Sequence, residues 1–169
     1  MEKFLEEILQ ERENRFLKQI ELISLYKRPL ITFGLNLPGK IKNSDEIKEF
    51  FWKNLNIIKC EIKKNNIRIV HEEFFSTDVG NFSILVVDFD DVKFLKNVFV
   101  NLEENLEHGR LLDIDVISKN FEKVSRIEIN FDERKCLLCD NTANFCIKNR
   151  THTYEELYEK AMEYIKKII

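Results

Sequence analysis

His108-Gly109-Arg110-Leu111-Leu112-Asp113-Ile114-Asp115-Val116-Ile117 is the stretch on which both the fold and the chemistry of this chain turn. Successive side chains of a β-strand point to opposite faces. Read as a strand, the run sends Leu112, Ile114 and Val116 into a core and projects Asp113 and Asp115 together from the other face. Two unpaired carboxylates that close repel each other and are tolerated mainly with a cation between them. Mg²⁺ takes oxygen ligands and commonly bridges one or two carboxylates to substrate phosphates. The stretch is therefore a candidate site of phosphoryl or nucleotidyl transfer, with a half-exposed strand whose acids face water as the plainer alternative. On the first reading, Asp113→Asn or Asp115→Asn is expected to remove activity and leave the fold intact or slightly more stable.

Downstream, after Ser118–Lys123, a second alternating run places Ile127, Ile129 and Phe131 on one face and Arg126 and Glu128 on the other. Paired with the first run as a hairpin centred near Asn120, it would set Asp115 opposite Arg126 and Asp113 opposite Glu128. Three acids and a guanidinium would then share one surface, and Arg suits phosphate because its planar fork is always charged.

Upstream, Phe4, Ile8, Phe16, Ile20 and Ile23 recur at helical spacing over roughly residues 2–25. Pro29 opens a strand in which Ile31, Phe33, Leu35 and Leu37 alternate with polar or small residues, and Pro38-Gly39 ends it in a turn. Ser44 or Asp45 caps a helix burying Ile47, Phe50, Phe51, Leu55 and Ile58. A strand near Ile67–Phe75, a loop at Ser76–Asn81 and an apolar strand Phe82–Val87 follow. Asp90 or Asp91 then caps a helix burying Val92, Leu95, Phe99, Leu102 and Leu106. The expected class is α+β: a split βαβ (ferredoxin-like, palm-like) sheet with an N-terminal helix and a cysteine-containing helical segment from about residue 132 to 169. A polymerase-beta-type nucleotidyltransferase fold is the alternative.

The 169 residues suit one domain spanning 1–169, 44% hydrophobic and 34% charged, with a net charge of −3 that disfavours broad nucleic-acid binding. The N-terminus reads as an acidic amphipathic helix rather than a signal peptide, and no apolar stretch reaches membrane-spanning length. A cytoplasmic setting is expected, and there the four cysteines read as thiols or ligands rather than disulfides.

Cys136-Leu137-Leu138-Cys139, Cys146 and His152 can close a tetrahedral zinc site, since a Cys-x-x-Cys turn presents two thiolates to one ion. Equally, Cys146 reads as a buried helix thiol, and His152 as a solvent-facing residue ahead of the capping box Thr153-x-x-Glu156.

These pieces, in order, resemble the apo-citrate lyase phosphoribosyl-dephospho-CoA transferase (CitX, holo-citrate lyase synthase) family. The likeness rests on Glu11–Arg15, Arg28–Phe33, Asn36–Lys42, Gly109–Val116, Ser125-Arg126, and Arg134–Cys139 with Ala143, Cys146, His152, Glu156 and Leu157. The family tends to carry His-Pro-Leu ahead of Gly-Arg, whereas this chain reads Leu106-Glu107-His108, so no base role is carried over to His108. The resemblance implies transfer of a phosphoribosyl-dephospho-CoA group from 2′-(5″-triphosphoribosyl)-3′-dephospho-CoA to a serine of the citrate lyase acyl carrier protein subunit, releasing diphosphate. In that chemistry Asp113 and Asp115 would hold Mg²⁺, and Arg28, Arg110 and Arg126 would neutralise the triphosphate. Glu128 would serve as third ligand or as base. The carrier is expected to dock on Lys40 and Lys42 with Arg134 and Lys135. The related transferase for the malonate decarboxylase carrier, and a non-catalytic zinc-bearing binding module, are the alternatives.

Overall fold

The computed structural model describes residues 2–169; Met1 and the side chains of residues 2–4, Phe4 among them, lie outside the described residues. The chain runs α1 (Glu2–Tyr26), β1 (Leu30–Leu35), α2 (Asp45–Lys64), β2 (Arg68–Thr77), β3 (Gly80–Asp88), α3 (Val92–Asn105), β4 (Leu112–Ile117), α4 (Ala143–Asn149) and α5 (Tyr154–Ile168). The four strands form one antiparallel sheet in the order β2-β3-β1-β4, and the fold is α+β. No helix among the described residues is long and apolar enough to cross a membrane.

Local chemistry starts the elements where expected. Ser44 Oγ accepts from the Ile47 N–H, and an Asp91 carboxylate oxygen accepts from the Phe94 N–H, capping α2 and α3. The anticipated loop before β3 shrinks to a tight turn, with Thr77 paired to Gly80 and Gly80 at φ 128°, a region that favours glycine. One sheet face buries Ile31, Phe33, Leu85, Val87, Leu112, Ile114 and Val116 against α2, α3 and α5. The other face packs Leu30, Phe82, Ile84, Val86 and Ile117 against Leu22 and Ile23 of α1.

The helix expected over roughly residues 2–25 forms as α1; Phe16 on it is 60% exposed, and the turns that face the sheet carry Arg15, whose guanidinium lies 4.5 Å above the Phe82 ring, and Lys18, which pairs with Glu73 at 3.7 Å. The helix thus turns charged side chains toward the sheet near Gly34, which pairs with both Phe82 and Asp113. Downstream, one expectation is corrected: the second hairpin strand does not form. Only Lys123 bridges back, to Ile117, and Val124 N–H donates to Val116 O; Ile127–Ile129 is a 3₁₀ turn ended by Asn130 in the left-handed region. Its cause is a local capping box. The Ser125 hydroxyl and N–H both donate to one Glu128 carboxylate oxygen at 2.6 Å, and the Glu128 N–H reaches the Ser125 hydroxyl at 3.4 Å.

Candidate functional site

β4 is an edge strand, and an exposed edge must satisfy its outward backbone groups. Here two buried ionised side chains of α3 do so. Lys96 Nζ donates to Ile114 O at 2.9 Å, and the Ile114 N–H donates to Glu103 Oε1 at 3.3 Å. Both side chains are nearly inaccessible, at 4% and 2% exposed. They grip the one residue that separates the two aspartates.

Asp113 pairs across the sheet with Gly34, and Asp115 with Thr32, so both carboxylates emerge on the α1 side. The protein itself supplies the cations that the pair requires. Asp115 lies 2.6 Å from the Lys123 ammonium and 3.6 Å from that of Lys96, while Arg134 donates to Asp113 at 3.3 Å. Asp113 is 54% exposed and Asp115 20%. The pair is therefore compensated without a metal ion, which corrects the picture of two unpaired, mutually strained acids.

Glu103 is the hub of the surrounding charges. Its two oxygens take Arg126 and Arg134, at 2.5 Å and 2.7 Å, and Arg126 also reaches Glu104 at 2.6 Å. Burial, opposed by both guanidiniums, pushes the Glu103 carboxyl above its ordinary range. Arg110 sits beside this cluster. Burial lowers its pKa, as do the Arg134 and Arg126 charges, and its Nε is buried with no hydrogen-bond partner. A group of three arginines with an unsatisfied buried donor is an anion-binding arrangement. Gly109 brings this corner against α3: a Cβ there would stand 1.8 Å from the Glu103 carbonyl oxygen, so only glycine allows the approach.

Of the residues singled out from sequence, Asp113 and Asp115 share one sheet face and Arg110 lies beside Arg126, the two groups being linked through Arg134 and Glu103. Arg28 does not join them; it pairs with Asp88 at 3.0 Å and Asp90 at 3.7 Å, at the far end of β1. It lies six positions from Gly34, roughly 20 Å along an extended chain. Without the hairpin, Glu128 loses its expected place opposite Asp113 and caps its own turn; hydrogen bonds from Ser125 hold its carboxyl low. Arg126 faces Glu103 and Glu104 rather than Asp115. His108 is buried against Asn54, with Nε2 and Oδ1 at 2.8 Å. Sequence reasoning missed Lys96 and Glu103 altogether and read Arg134 as a docking residue. The available signal was their helical spacing of seven, flanking the apolar stripe of α3.

The cysteine segment forms a second centre. Cys136, Cys139, Cys146 and His152 present ligand atoms all within 4.8 Å of one another, with Cys139 Sγ 3.4 Å from both Cys146 Sγ and His152 Nε2. Tetrahedral zinc with Zn–S near 2.3 Å needs ligand separations of roughly 3.5–3.8 Å, so this set fits such an ion and leaves no open position. The knuckle is closed by the Lys135–Thr142 bridge and by the Cys136 N–H donating to Asn141 O at 2.7 Å. Burial pushes the Cys146 thiol up to about 11. At Cys136 burial acts the same way, but the Leu138 and Cys139 N–H groups and the neighbouring thiols outweigh it and hold that thiol low. The Ala143 N–H donates to Arg134 O at 2.8 Å, so the knuckle fixes the backbone of the arginine that meets Asp113.

Comparison with known proteins gives a consistent result. The model of the apo-citrate lyase phosphoribosyl-dephospho-CoA transferase family, CitX, matches residues 3–168. Protein CitXG of Leuconostoc mesenteroides subsp. cremoris is 35% identical over 156 residues, which is 91% of this chain and 33% of that protein. A probable apo-citrate lyase phosphoribosyl-dephospho-CoA transferase of Vibrio cholerae is 28% identical over 94% of this chain and 89% of its own length. An Escherichia coli protein named as the same transferase is 27% identical over 91% of this chain and 84% of its own. The chain thus spans a third of the CitXG protein and most of the length of the other two.

Proposed function

The chain belongs to the apo-citrate lyase phosphoribosyl-dephospho-CoA transferase family, and we propose that it attaches the phosphoribosyl-dephospho-CoA group to the acyl carrier protein subunit of citrate lyase. The observation that carries this reading beyond the family name is that Glu103 draws Arg126 and Arg134 together, Arg134 reaches on to Asp113, and Arg110 sits beside the two guanidiniums. A triphosphate needs such a cationic cradle, and phosphoryl transfer is served mainly by positioning and charge. The donor is the triphosphoribosyl precursor. A serine hydroxyl of the carrier forms the new oxygen–phosphorus bond to the phosphate borne by the ribose and gives up its proton to water, the bond from that phosphorus to the bridging oxygen breaks, and diphosphate departs with its electron pair.

In this reading Arg110 offers its unpartnered Nε to the phosphates, while Arg126 and Arg134, forked by Glu103, take the charge that grows on the leaving group. Lys96 and Glu103 hold Ile114, and with it the spacing of the two aspartates. The hard oxygens of Asp113 and Asp115 fit Mg²⁺ in donor chemistry, and Lys123, at 61% exposed, is free to swing from Asp115 toward a phosphate. Mg²⁺ bound there would supply charge neutralisation at the transferred phosphate. Cys136, Cys139, Cys146 and His152 would hold zinc in a closed, structural role that fixes Arg134. The order β2-β3-β1-β4, with α2 and α3 as crossovers, supports a split βαβ, ferredoxin-like scaffold. The reaction is placed in the cytoplasm, where free thiols persist.

The test is diphosphate release with purified carrier subunits. Release that requires the triphosphoribosyl donor, Mg²⁺ and the citrate lyase carrier is expected. Release with the malonate decarboxylase carrier alone would assign the related activity, and none with either carrier would leave the non-catalytic reading.

A further inference from the structure

Beyond the end of β1, the chain leaves the sheet through Leu37-Pro38-Gly39 and runs under the start of α5, enclosing an open groove of about 750 Å³. Pro38, Lys40 and Lys42 line one side, and Tyr154, Glu155 and Tyr158 the other. Gly39 is in the left-handed region at φ 76°, and a Cβ on it would sit 3.7 Å from the Tyr158 ring. A side chain there would strain the turn, though its Cβ would only touch the ring at ordinary contact distance. Tyr154 is 73% exposed, a large aromatic surface left in water. The groove has the size and the apolar lining with a few polar groups of a small-molecule site rather than a flat protein interface.

Positive charge also lies between the groove and the Asp113 corner. Arg15 lies over Phe82, which flanks Gly34, the partner of Asp113. Arg15 is within electrostatic reach of both Asp113 and Arg12, and Arg12 in turn of Lys42. Lys42 is half-buried and donates to Leu37 O at the floor of the turn. Arg15, which Glu11 pairs at 3.6 Å, and Arg12 thus lie between the reacting corner and an aromatic groove whose own lining carries Lys40 and Lys42. Aromatic faces stack with bases, and cationic side chains hold phosphates.

We propose that this groove binds the adenosine end of the donor, with the adenine against Tyr154 and Tyr158 and the diphosphate of the dephospho-CoA part on Lys40, Lys42 and Arg12. The inference rests on the transferase reading above and assigns the half of the donor that does not react. Glu155 at the rim suits the exocyclic amine or the free 3′-hydroxyl of the ribose, both of which donate.

The probe is 3′-dephospho-CoA, which lacks the triphosphoribosyl group and so reports the groove without the reacting corner. Titration calorimetry should find it binding to the wild-type chain and competing with the donor. Tyr154→Ala, at an exposed position that the fold does not need, should weaken it about tenfold, the usual scale of one lost stacking partner. Tyr158→Ala and the pair Lys40→Ala with Lys42→Ala should each weaken it several-fold and raise the donor KM in proportion. Asp113→Asn should leave the affinity within twofold. Unchanged 3′-dephospho-CoA binding in Tyr154→Ala and in the lysine pair would overturn the proposal. So would a raised carrier KM with an unaltered donor KM, which would make the groove the carrier's dock. A chain that binds 3′-dephospho-CoA with these sensitivities but transfers nothing would remove the transferase reading and leave the groove; a chain that transfers normally without binding the probe would do the reverse.

Discussion

Asp113→Asn and Asp115→Asn should both stop transfer, yet they should part company in stability. From sequence alone both are expected to relieve repulsion. Side chains two residues apart on one strand face are roughly 7 Å apart, and at water's dielectric constant their repulsion is worth only about 0.6 kcal/mol. Against that small gain stands the loss of each acid's partners. Asp113 is half in solvent beside Arg134, and exposed pairs contribute about 0–1 kcal/mol. Its change should therefore alter stability by less than about 0.5 kcal/mol. Asp115 faces the Lys96 ammonium at 3.6 Å, and that lysine is 4% exposed. At an effective dielectric constant of 20 their gross attraction is about 4.6 kcal/mol. Asp115 keeps some water contact, and Lys96 retains Ile114 O and the nearby Glu103, so about half of it should survive as a net effect. Asp115→Asn should thus cost about 2 kcal/mol in urea unfolding at pH 7. Combined with Lys96→Met, it should cost less than the two single changes added together, since the shared pair is lost only once. An Asp115→Asn protein as stable as wild type, or more so, would show that repulsion outweighs the Lys96 pairing and would refute the compensated-pair account.

Other expectations follow from the same network. The raised Glu103 carboxyl favours the protonated native state, so its contribution to stability is full below its ordinary value of 4.5 and falls as pH rises through the native value. The difference between wild type and Glu103→Gln should decline over that window, and urea titrations across it would read the slope; a difference that rose with pH would reverse the assigned direction. At pH 7, Glu103→Gln should also lower kcat by unforking Arg126 and Arg134, while Arg28→Ala, remote from the corner, should leave kcat near wild type. Gly109→Ala should destabilise by about 3 kcal/mol or more, because the helix backbone must retreat from the new Cβ; a stable, active variant would mean that the approach is not needed. Chelation should release about one zinc per chain by elemental analysis and loosen residues 132–169 in hydrogen exchange. Full activity without zinc would leave Cys136, Cys139, Cys146 and His152 as packing residues.

Much of the architecture is legible because burial follows periodicity. The alternation of Leu112, Ile114 and Val116 with Asp113 and Asp115 reads as one strand with two faces, and that is what forms. The Ser44 and Asp91 caps are equally local signals. The misread hairpin shows where periodicity is ambiguous: Ile127, Ile129 and Phe131 alternate as in a strand, but Ser125-x-x-Glu128 is a capping box, and those short-range hydrogen bonds win over distant pairing. The helical spacing of Ile8, Phe16, Ile20 and Ile23 makes α1 legible, but not which charged turn meets the sheet, where Arg15 lies over Phe82. The site was half visible. Asp113, Asp115, Arg110 and Arg126 carry chemistry in their type and position, whereas Lys96 and Glu103 look like ordinary helix charges until the free edge of β4 shows what they satisfy.

Mass spectrometry of the citrate lyase acyl carrier protein subunit tests the central claim most directly. Incubated with the triphosphoribosyl donor, Mg²⁺ and this protein, the carrier should gain the mass of one phosphoribosyl-dephospho-CoA group on a serine, and gain nothing without the protein or with its Asp113→Asn variant. A carrier whose mass stays unchanged in the complete mixture, or rises equally with the Asp113→Asn protein, would contradict the assignment of the reaction to this site.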